Sequence, residues 1–245
     1  MHIFPIQTKP NMNRTKKLLL ITKNFLLVAG LTASLQAFSQ DCKNYLFLQK
    51  NKTIEMTIYN KKGEPNGKQV YLVSDVSSTG GVTTGALASE MFDKKGKSMA
   101  KASSTIKCAG GVMMINMKMM LPQQQSEQFS KADAKVDDAY LEYPVNLQPD
   151  AELKDGTFTM EMNNSGMQQT LTMVISNRKV EAKESVTTDA GTWECYKISY
   201  KCKMNIKTGF IGIPINFEGT EWYAPSFGVV KSQSKYGGTA ITAIK

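Results

Sequence analysis

Short runs in which polar and apolar residues alternate, cut by turn chemistry about every eight to fifteen positions, occupy most of this chain. Successive side chains of a strand leave opposite faces, so an apolar set at every second residue meets one core only if the run is extended. Ile54, Met56 and Ile58 form such a set, with Thr53, Glu55 and Thr57 alternating against them. Asn60-Lys61-Lys62-Gly63 then turns the chain, and Asp93-Lys94-Lys95-Gly96 repeats that chemistry. Further strands are expected at 70–76, 86–92, 99–108 and 112–121, with Ala109-Gly110-Gly111 between the last two. Phe158 to Met162 resumes the pattern, Asn163-Asn164-Ser165-Gly166 turns it, and Leu171, Met173 and Ile175 line the next inner face.

Val180, Ala182 and Val186 lead into Thr188-Asp189-Ala190-Gly191, after which residues 193–204 make one strand. Residues 208–214 form a loop containing Gly and Pro, and strands at 217–223, 229–236 and 239–244 complete the set. Turns this short join only antiparallel neighbours. The expected class is all-β, mainly antiparallel: a curved sheet or barrel of about 11–13 strands with at most one or two short helices.

Residues 122–143 break the pattern. Phe129, Ala132, Val136 and Tyr140 recur at helical spacing, which predicts a short amphipathic helix over the sheet, with a solvated linker as the alternative. The organisation expected is a single β domain over 40–245, or two lobes joined at 122–150.

Residues 1–39 read as a secretory signal, with Met12 a candidate true start. Arg14, Lys16 and Lys17 are basic, 25–35 is apolar, and Ala37-Phe38-Ser39 precedes Gln40. The apolar run is shorter than the ~20 residues that span a bilayer, and no later stretch approaches that length. Ser39-Gln40-Asp41 lacks the pattern that lipid attachment at Cys42 needs. The chain is therefore expected to be exported, periplasmic or extracellular in a Gram-negative-type envelope, and not membrane-spanning.

Removing 1–39 takes away four Lys, one Arg and the lone His2, so the net charge falls from +9 to 9 − 5 = +4. The remainder has no histidine and one arginine, Arg178. Without histidine there is no histidine-based triad and no imidazole base, and the commonest metal ligand is missing, so a non-enzyme without metal or cofactor is expected. Without arginine forks, specific nucleic-acid binding is not expected either. Ser98-x-x-Lys101, Ser104-x-x-Lys107 and Ser232-x-x-Lys235 place their two side chains on opposite strand faces, as do Glu181/Glu184 and Glu218/Glu221.

Four cysteines in an exported chain point to disulfides, with three possible pairings. Cys195 and Cys202 on one strand lie roughly 23 Å apart, beyond any bridge. Cys42 with Cys108 is preferred, because it fastens the start of the domain to a strand end; Cys195, between aromatic residues, suits a buried thiol.

Thirteen methionines follow residue 39. Met117-x-Met119 and Met160-x-Met162 could present paired thioethers to Cu(I), but unbranched methionine more often fills irregular cores or adaptable apolar pockets. The central apolar space is expected to be lined by Met113, Ile115, Met117, Met119 and Leu121 from one strand and by Leu171, Met173 and Ile175 from another.

Two late stretches carry a family resemblance. Val186-Thr187-Thr188-Asp189-Ala190-Gly191-Thr192-Trp193-Glu194-Cys195-Tyr196-Lys197-Ile198 resembles a strand–turn–strand signature of the TapB-like family of exported bacterial β proteins of unknown function. Glu221-Trp222-Tyr223-Ala224-Pro225 with Gly228-Val229-Val230-Lys231-Ser232 resembles that family's closing segment. Asp189 replaces a common proline and Ser226 a common glycine. The resemblance implies a curved antiparallel sheet or barrel, distantly similar to the periplasmic lipoprotein carriers, and no catalytic residues. The functional expectation is an exported, non-enzymatic envelope protein holding an apolar small molecule or lipid within the sheet. The alternatives are an interaction module with a packed core and, third, a hydrolase built from distant carboxylates.

Overall fold

Two turns of one design set the pattern of the sheet. Asn60 Oδ1 accepts from the backbone N–H of Lys62 at 2.8 Å and of Glu64 at 3.1 Å. Asp93 Oδ1 accepts from Lys95 at 2.8 Å and Lys97 at 2.9 Å in the same way. Gly63 and Gly96 both take φ +79°, a left-handed conformation that a side chain would resist. These turns join β1 (Thr53–Asn60) to β2 (Pro65–Thr79) and β3 (Val82–Asp93) to β4 (Ser98–Ala109).

The computed structural model describes Cys42 and residues 45–121, 133–136, 138–164, 166–225 and 227–245, with backbone alone for 133–136 and 164. By internal contacts the chain divides into Met1–Ser39, outside the described residues, and Gln40–Lys245, described below. The meander continues through β5 (Val112–Asn116), β6 (Asp133–Val136), β7 (Tyr140–Pro144), β8 (Glu152–Leu153) and β9 (Gly156–Asn164). It ends in long hairpins: β10 (Met167–Thr188), β11 (Gly191–Thr208), β12 (Ile211–Ala224), β13 (Gly228–Ser234) and β14 (Gly237–Ile244).

All described strands belong to one antiparallel sheet in the order β6-β9-β10-β11-β12-β13-β14-β1-β2-β3-β4-β5-β7, with β8 on β10. It curls into a nearly closed barrel, so the expected all-β class and strand number hold. The strands flanking 122–150 share this one sheet. Bulges supply curvature: β10 shifts register against β11 between Ser176 and Lys179 and again between Val180 and Ala182. Asn177 there has φ 54° and donates its N–H to Asp155 Oδ1 at 3.0 Å.

Side chains close the seam between β7 and the β8–β9 segment. Arg178 Nη1 donates to the Glu142 carbonyl at 3.1 Å and the Lys154 carbonyl at 2.9 Å, and Lys154 pairs with Glu142 at 3.0 Å. Gly156 lies so close to Leu141 and Met117 that a Cβ would sit 2.4 Å from Leu141 Cδ2. One end of the barrel is plugged by residues 45–48, a 3-10 turn at Leu46–Leu48 that buries Tyr45, Phe47 and Leu48. The Phe47 ring meets Phe227 edge-on at 6.3 Å, and a Cβ on Gly85 would lie 2.5 Å from the Phe47 carbonyl oxygen. Cys42 and Cys108 form a disulfide with Cα atoms 5.8 Å apart, tying this plug to β4.

Three expectations are corrected. Residues 117–121 do not extend the strand: Met117–Met120 is a 3-10 turn, because the Asn116 side chain accepts from the Lys118 N–H at 3.0 Å and ends the ladder. Val136 and Tyr140 lie in β6 and β7 rather than in a helix, each paired edge to edge with β9 and β5; Phe129 and Ala132 lie outside the described residues. The 208–214 loop is instead a tight turn at Gly209-Phe210, with Pro214 inside β12 opposite Asn205. Pro214 is tolerated because β13 pairs with β12 only from Gly219 onward, leaving that edge with no ladder partner for the missing N–H.

Candidate functional site

The site is written along β12. Alternation sends Ile211, Ile213, Ile215, Phe217, Gly219, Glu221 and Tyr223 to the inner face, and exposure falls steadily along that series. Across the ladder, β11 sets Ile206 against Ile213, Met204 against Ile215 and Tyr200 against Gly219. Gly219 is required there. A Cβ at that position would fall 2.4 Å from the Tyr200 ring, which lies flat across the glycine.

This face forms one wall of a cavity of about 490 Å³. Met56 and Ile58 of β1 and Tyr71 of β2 build the opposite wall, and Met119, Met120 and Leu121 contribute from the 3-10 turn. Asn60, Asn66, Ser234 and Thr239 surround the end near the β1–β2 and β13–β14 turns. The floor holds Phe47 of the plug, Tyr143, Tyr200 and Glu221. The volume is in the range of small-molecule sites, and the walls are mostly apolar with a few convergent polar groups. Among the described residues Glu221 is the sole charged group in the lining.

Glu221 belongs to a buried network. Its side chain and that of Arg178 are 1% and 0% exposed, with Arg178 Nη2 3.6 Å from Glu221 Oε1. The Tyr143 hydroxyl donates to the same Oε1 at 2.9 Å. The guanidinium lies 4.5 Å from the Tyr143 ring centre, and Tyr143 stacks on Tyr223 at 4.6 Å. Among the described residues Glu221 Oε2 and the Tyr45 and Tyr223 hydroxyls find no hydrogen-bond partner of good geometry, although Tyr45 approaches Tyr223 closely enough to influence it. Burial pushes the Glu221 carboxyl above the usual carboxylate range, against the pull of Arg178 and the Tyr143 hydroxyl. Burial likewise raises the Tyr143, Tyr200 and Tyr223 hydroxyls, so all three stay neutral near pH 7.

Of the residues expected to line the central space, Ile115, Met119 and Leu121 line the cavity. Met113, Met117, Leu171, Met173 and Ile175 are buried in the packed half of the barrel and do not reach it. Met117 and Met119 do not share a strand face, because they sit in the 3-10 turn. Among the described residues no group of three or more His, Cys, Asp or Glu converges as a metal site. Cys195 and Cys202 are free and buried on β11. Glu218 is exposed on the outer face of β12, apart from Glu221.

Sequence reasoning missed the Arg178–Glu221–Tyr143 network. The available signal was Arg178 itself, the one guanidinium after residue 39 in a stretch that otherwise uses lysine for positive charge. A buried fork that must serve two carbonyls and a carboxylate needs arginine, whereas a solvated surface does not.

Residues 49–239 match the DUF3108-like family over most of the chain. The chain belongs to the DUF3108-like family. The TapB-like resemblance remains a likeness of two late motifs; what the match shows is an all-β family of unknown function. No curated protein matches the chain. A solved Bacteroides fragilis structure, described as an exported protein with a YmcC-like fold, is 22% identical with TM-score 0.68, covering 82% of this chain and 98% of that one. A structure from Parabacteroides distasonis, described as a lipoprotein, is 20% identical with TM-score 0.68, covering 84% and 100%. These similarities confirm the fold of this DUF3108-like chain. Among its described residues no helix is long and apolar enough to cross a membrane.

Proposed function

We propose that this protein is an exported, non-enzymatic component of the bacterial envelope that holds an apolar or lipid-like ligand in the barrel cavity. The observation that carries this reading is the cavity of about 490 Å³, walled by methionine, isoleucine and aromatic side chains and plugged at one end. A barrel serving only as a packed interaction module would have filled that space. Export is supported by the signal-like residues 1–39 and by the names of the two structural neighbours, an exported protein and a lipoprotein. A non-catalytic role is supported by the surroundings of Glu221, whose neighbours are a guanidinium and phenols rather than a nucleophile and its base.

Native mass spectrometry of protein purified from an exporting host should show a bound apolar mass, and a fluorescent acyl probe should bind and be displaced by it. Replacing the half-buried wall residues Ile215 and Phe217 with Gln should weaken probe binding by tenfold or more, on the order of 1.5–3 kcal/mol for one lost apolar side chain, while the strand circular dichroism is kept. A wild-type protein that carries no ligand and binds no acyl probe would refute the reading.

A further inference from the structure

The two ends of the barrel differ in chemistry. Because every hairpin reverses the chain, the turns β1–β2, β3–β4, β9–β10, β11–β12 and β13–β14 lie at the mouth end of the barrel, where Asn60 and Ser234 border the cavity. The turns β2–β3, β4–β5, β10–β11 and β12–β13 lie at the plugged end. The described residues of these five hairpin turns include six lysines, Lys61, Lys62, Lys94, Lys95, Lys97 and Lys235, against one acid, Glu64. The described residues of the four plugged-end hairpin turns include no lysine and one acid, Asp189, and of the lysines that flank β1 and β14 there, Lys50 and Lys245 are paired with Asp75 and Glu55. All six lysines are exposed.

Apolar exposure follows the same polarity. Phe210 is fully exposed, Ile211 is 72% exposed, Ile213 60%, and Met167 and Tyr236 57% each. Each belongs to a mouth-end hairpin, and Leu72 is the only other large hydrophobic residue so exposed among the described residues. Residues 211–218 pair with β11 but not with β13, so the β11–β12 hairpin projects beyond the β13–β14 turn. Its inner face runs without a break from Ile211 and Ile213 at the tip to Ile215 and Phe217 in the cavity wall. Lys203 and Lys207 stand exposed on the same hairpin.

Lysines beside protruding apolar and aromatic side chains complement a surface that is anionic at headgroup level and greasy beneath it. An acidic protein surface would satisfy the lysines but would leave Phe210 and Ile211 without an apolar layer to enter. We propose that the mouth end of the barrel docks on a bilayer containing anionic lipid, with the β11–β12 tip inserted below the headgroups. The cavity then opens toward the membrane, and the inner face of β12 links the acyl layer to the cavity. This proposal rests on the surface polarity alone and does not depend on what occupies the cavity.

Co-sedimentation with vesicles of phosphatidylcholine, alone or with roughly 30% phosphatidylglycerol, tests it directly. The full-length protein should bind the anionic vesicles, bind pure phosphatidylcholine at least about tenfold more weakly, and lose affinity as salt rises. Replacing Lys61, Lys62, Lys94 and Lys95 with Glu should reduce partitioning by more than about tenfold, since each lysine near the surface is worth roughly fivefold. Phe210→Ser with Ile211→Ser should reduce it about tenfold without changing the fold, because both side chains are exposed. Lys197→Glu with Lys201→Glu, on β11 away from the turns, should leave binding near wild type. Absence of binding to anionic vesicles at about 100 mM salt would overturn the proposal. So would an equal loss from the β11 control pair, an unaffected serine variant, or capture of an acidic protein by the same tips without vesicle binding. Acyl-probe binding without vesicles reads the cavity separately, so the two proposals fail independently.

Discussion

Replacing Arg178 with Met removes the group that spans the seam. The change deletes the charged donations to the Glu142 and Lys154 carbonyls, each worth about 1.5–3 kcal/mol. It also leaves Glu221, 1% exposed, without its cation, a loss of about 3–5 kcal/mol when a buried pair is broken from one side. These terms overlap, because Glu221 can take up a proton and the methionine still packs against Tyr143. A net destabilisation of about 4–6 kcal/mol is expected, a large share of the ~5–15 kcal/mol that holds a domain together. Urea unfolding followed by the fluorescence of Trp193 and Trp222 measures it as a shift in midpoint at constant slope. The double variant Arg178→Met with Glu221→Leu should be about 1–3 kcal/mol more stable than Arg178→Met alone, since no uncompensated charge remains. Arg178→Lys should recover little, because one ammonium cannot reach both carbonyls in the fork geometry. A loss below about 1 kcal/mol for Arg178→Met, or strict additivity in the double variant, would refute this account of the seam.

Alkylation should find no reactive thiol in the native protein, two in the denatured unreduced chain and four after reduction, read by intact mass; a labelled native Cys195 or Cys202 would contradict their burial. Burial pushes the Cys195 thiol up to about 12 and the Cys202 thiol to about 11, from an unperturbed 9.0. An unfolded chain therefore releases these protons first as pH rises, and folding stability should fall between pH 9 and 11 by about 1.4 kcal/mol per pH unit for each thiol; a flat profile there would sink the idea. Gly156→Ala should cost about 1–3 kcal/mol, because its Cβ meets the movable ends of Leu141 and Met117, and Leu141→Ala in the same chain should recover part of that loss.

Alternation made much of the sheet legible: β1, β4, β9, β13 and β14 were foreseen within a few residues of their ends, whereas β12 begins six residues before the expected 217 and β7 was not foreseen as a strand. Where the period broke, reading failed for local reasons. Asn177 interrupts the alternation of β10 because a bulge sits there. Met117 and Met119 keep a period of two yet form a 3-10 turn, because the stop signal lies in the side-chain bond from Asn116, which periodicity does not report. The site was less legible than the fold. Alternation says which face of a strand points inward but not how far along the barrel axis a residue sits. Met113, Leu171 and Met173 are buried, but they lie outside the cavity lining. Glu221 drew attention only as one of a pair with Glu218, and nothing local to it marks Arg178 as its partner.

The sheet order joins β14 to β1, with Thr53 and Lys245 exchanging both backbone hydrogen bonds at 2.9 Å. A chain threaded through a channel N-terminus first can lay down β1 to β5 as a self-contained meander, but the far edge of β1 stays bare until the last strand arrives. Circularisation is therefore completed by the final segment to emerge, and no earlier stretch can substitute for it. The same adjacency suits the polypeptide to permutation. Linking residue 245 to residue 42 through a glycine linker and opening the chain between β9 and β10 would preserve every ladder and the plug while making β10 the first strand made and β9 the last.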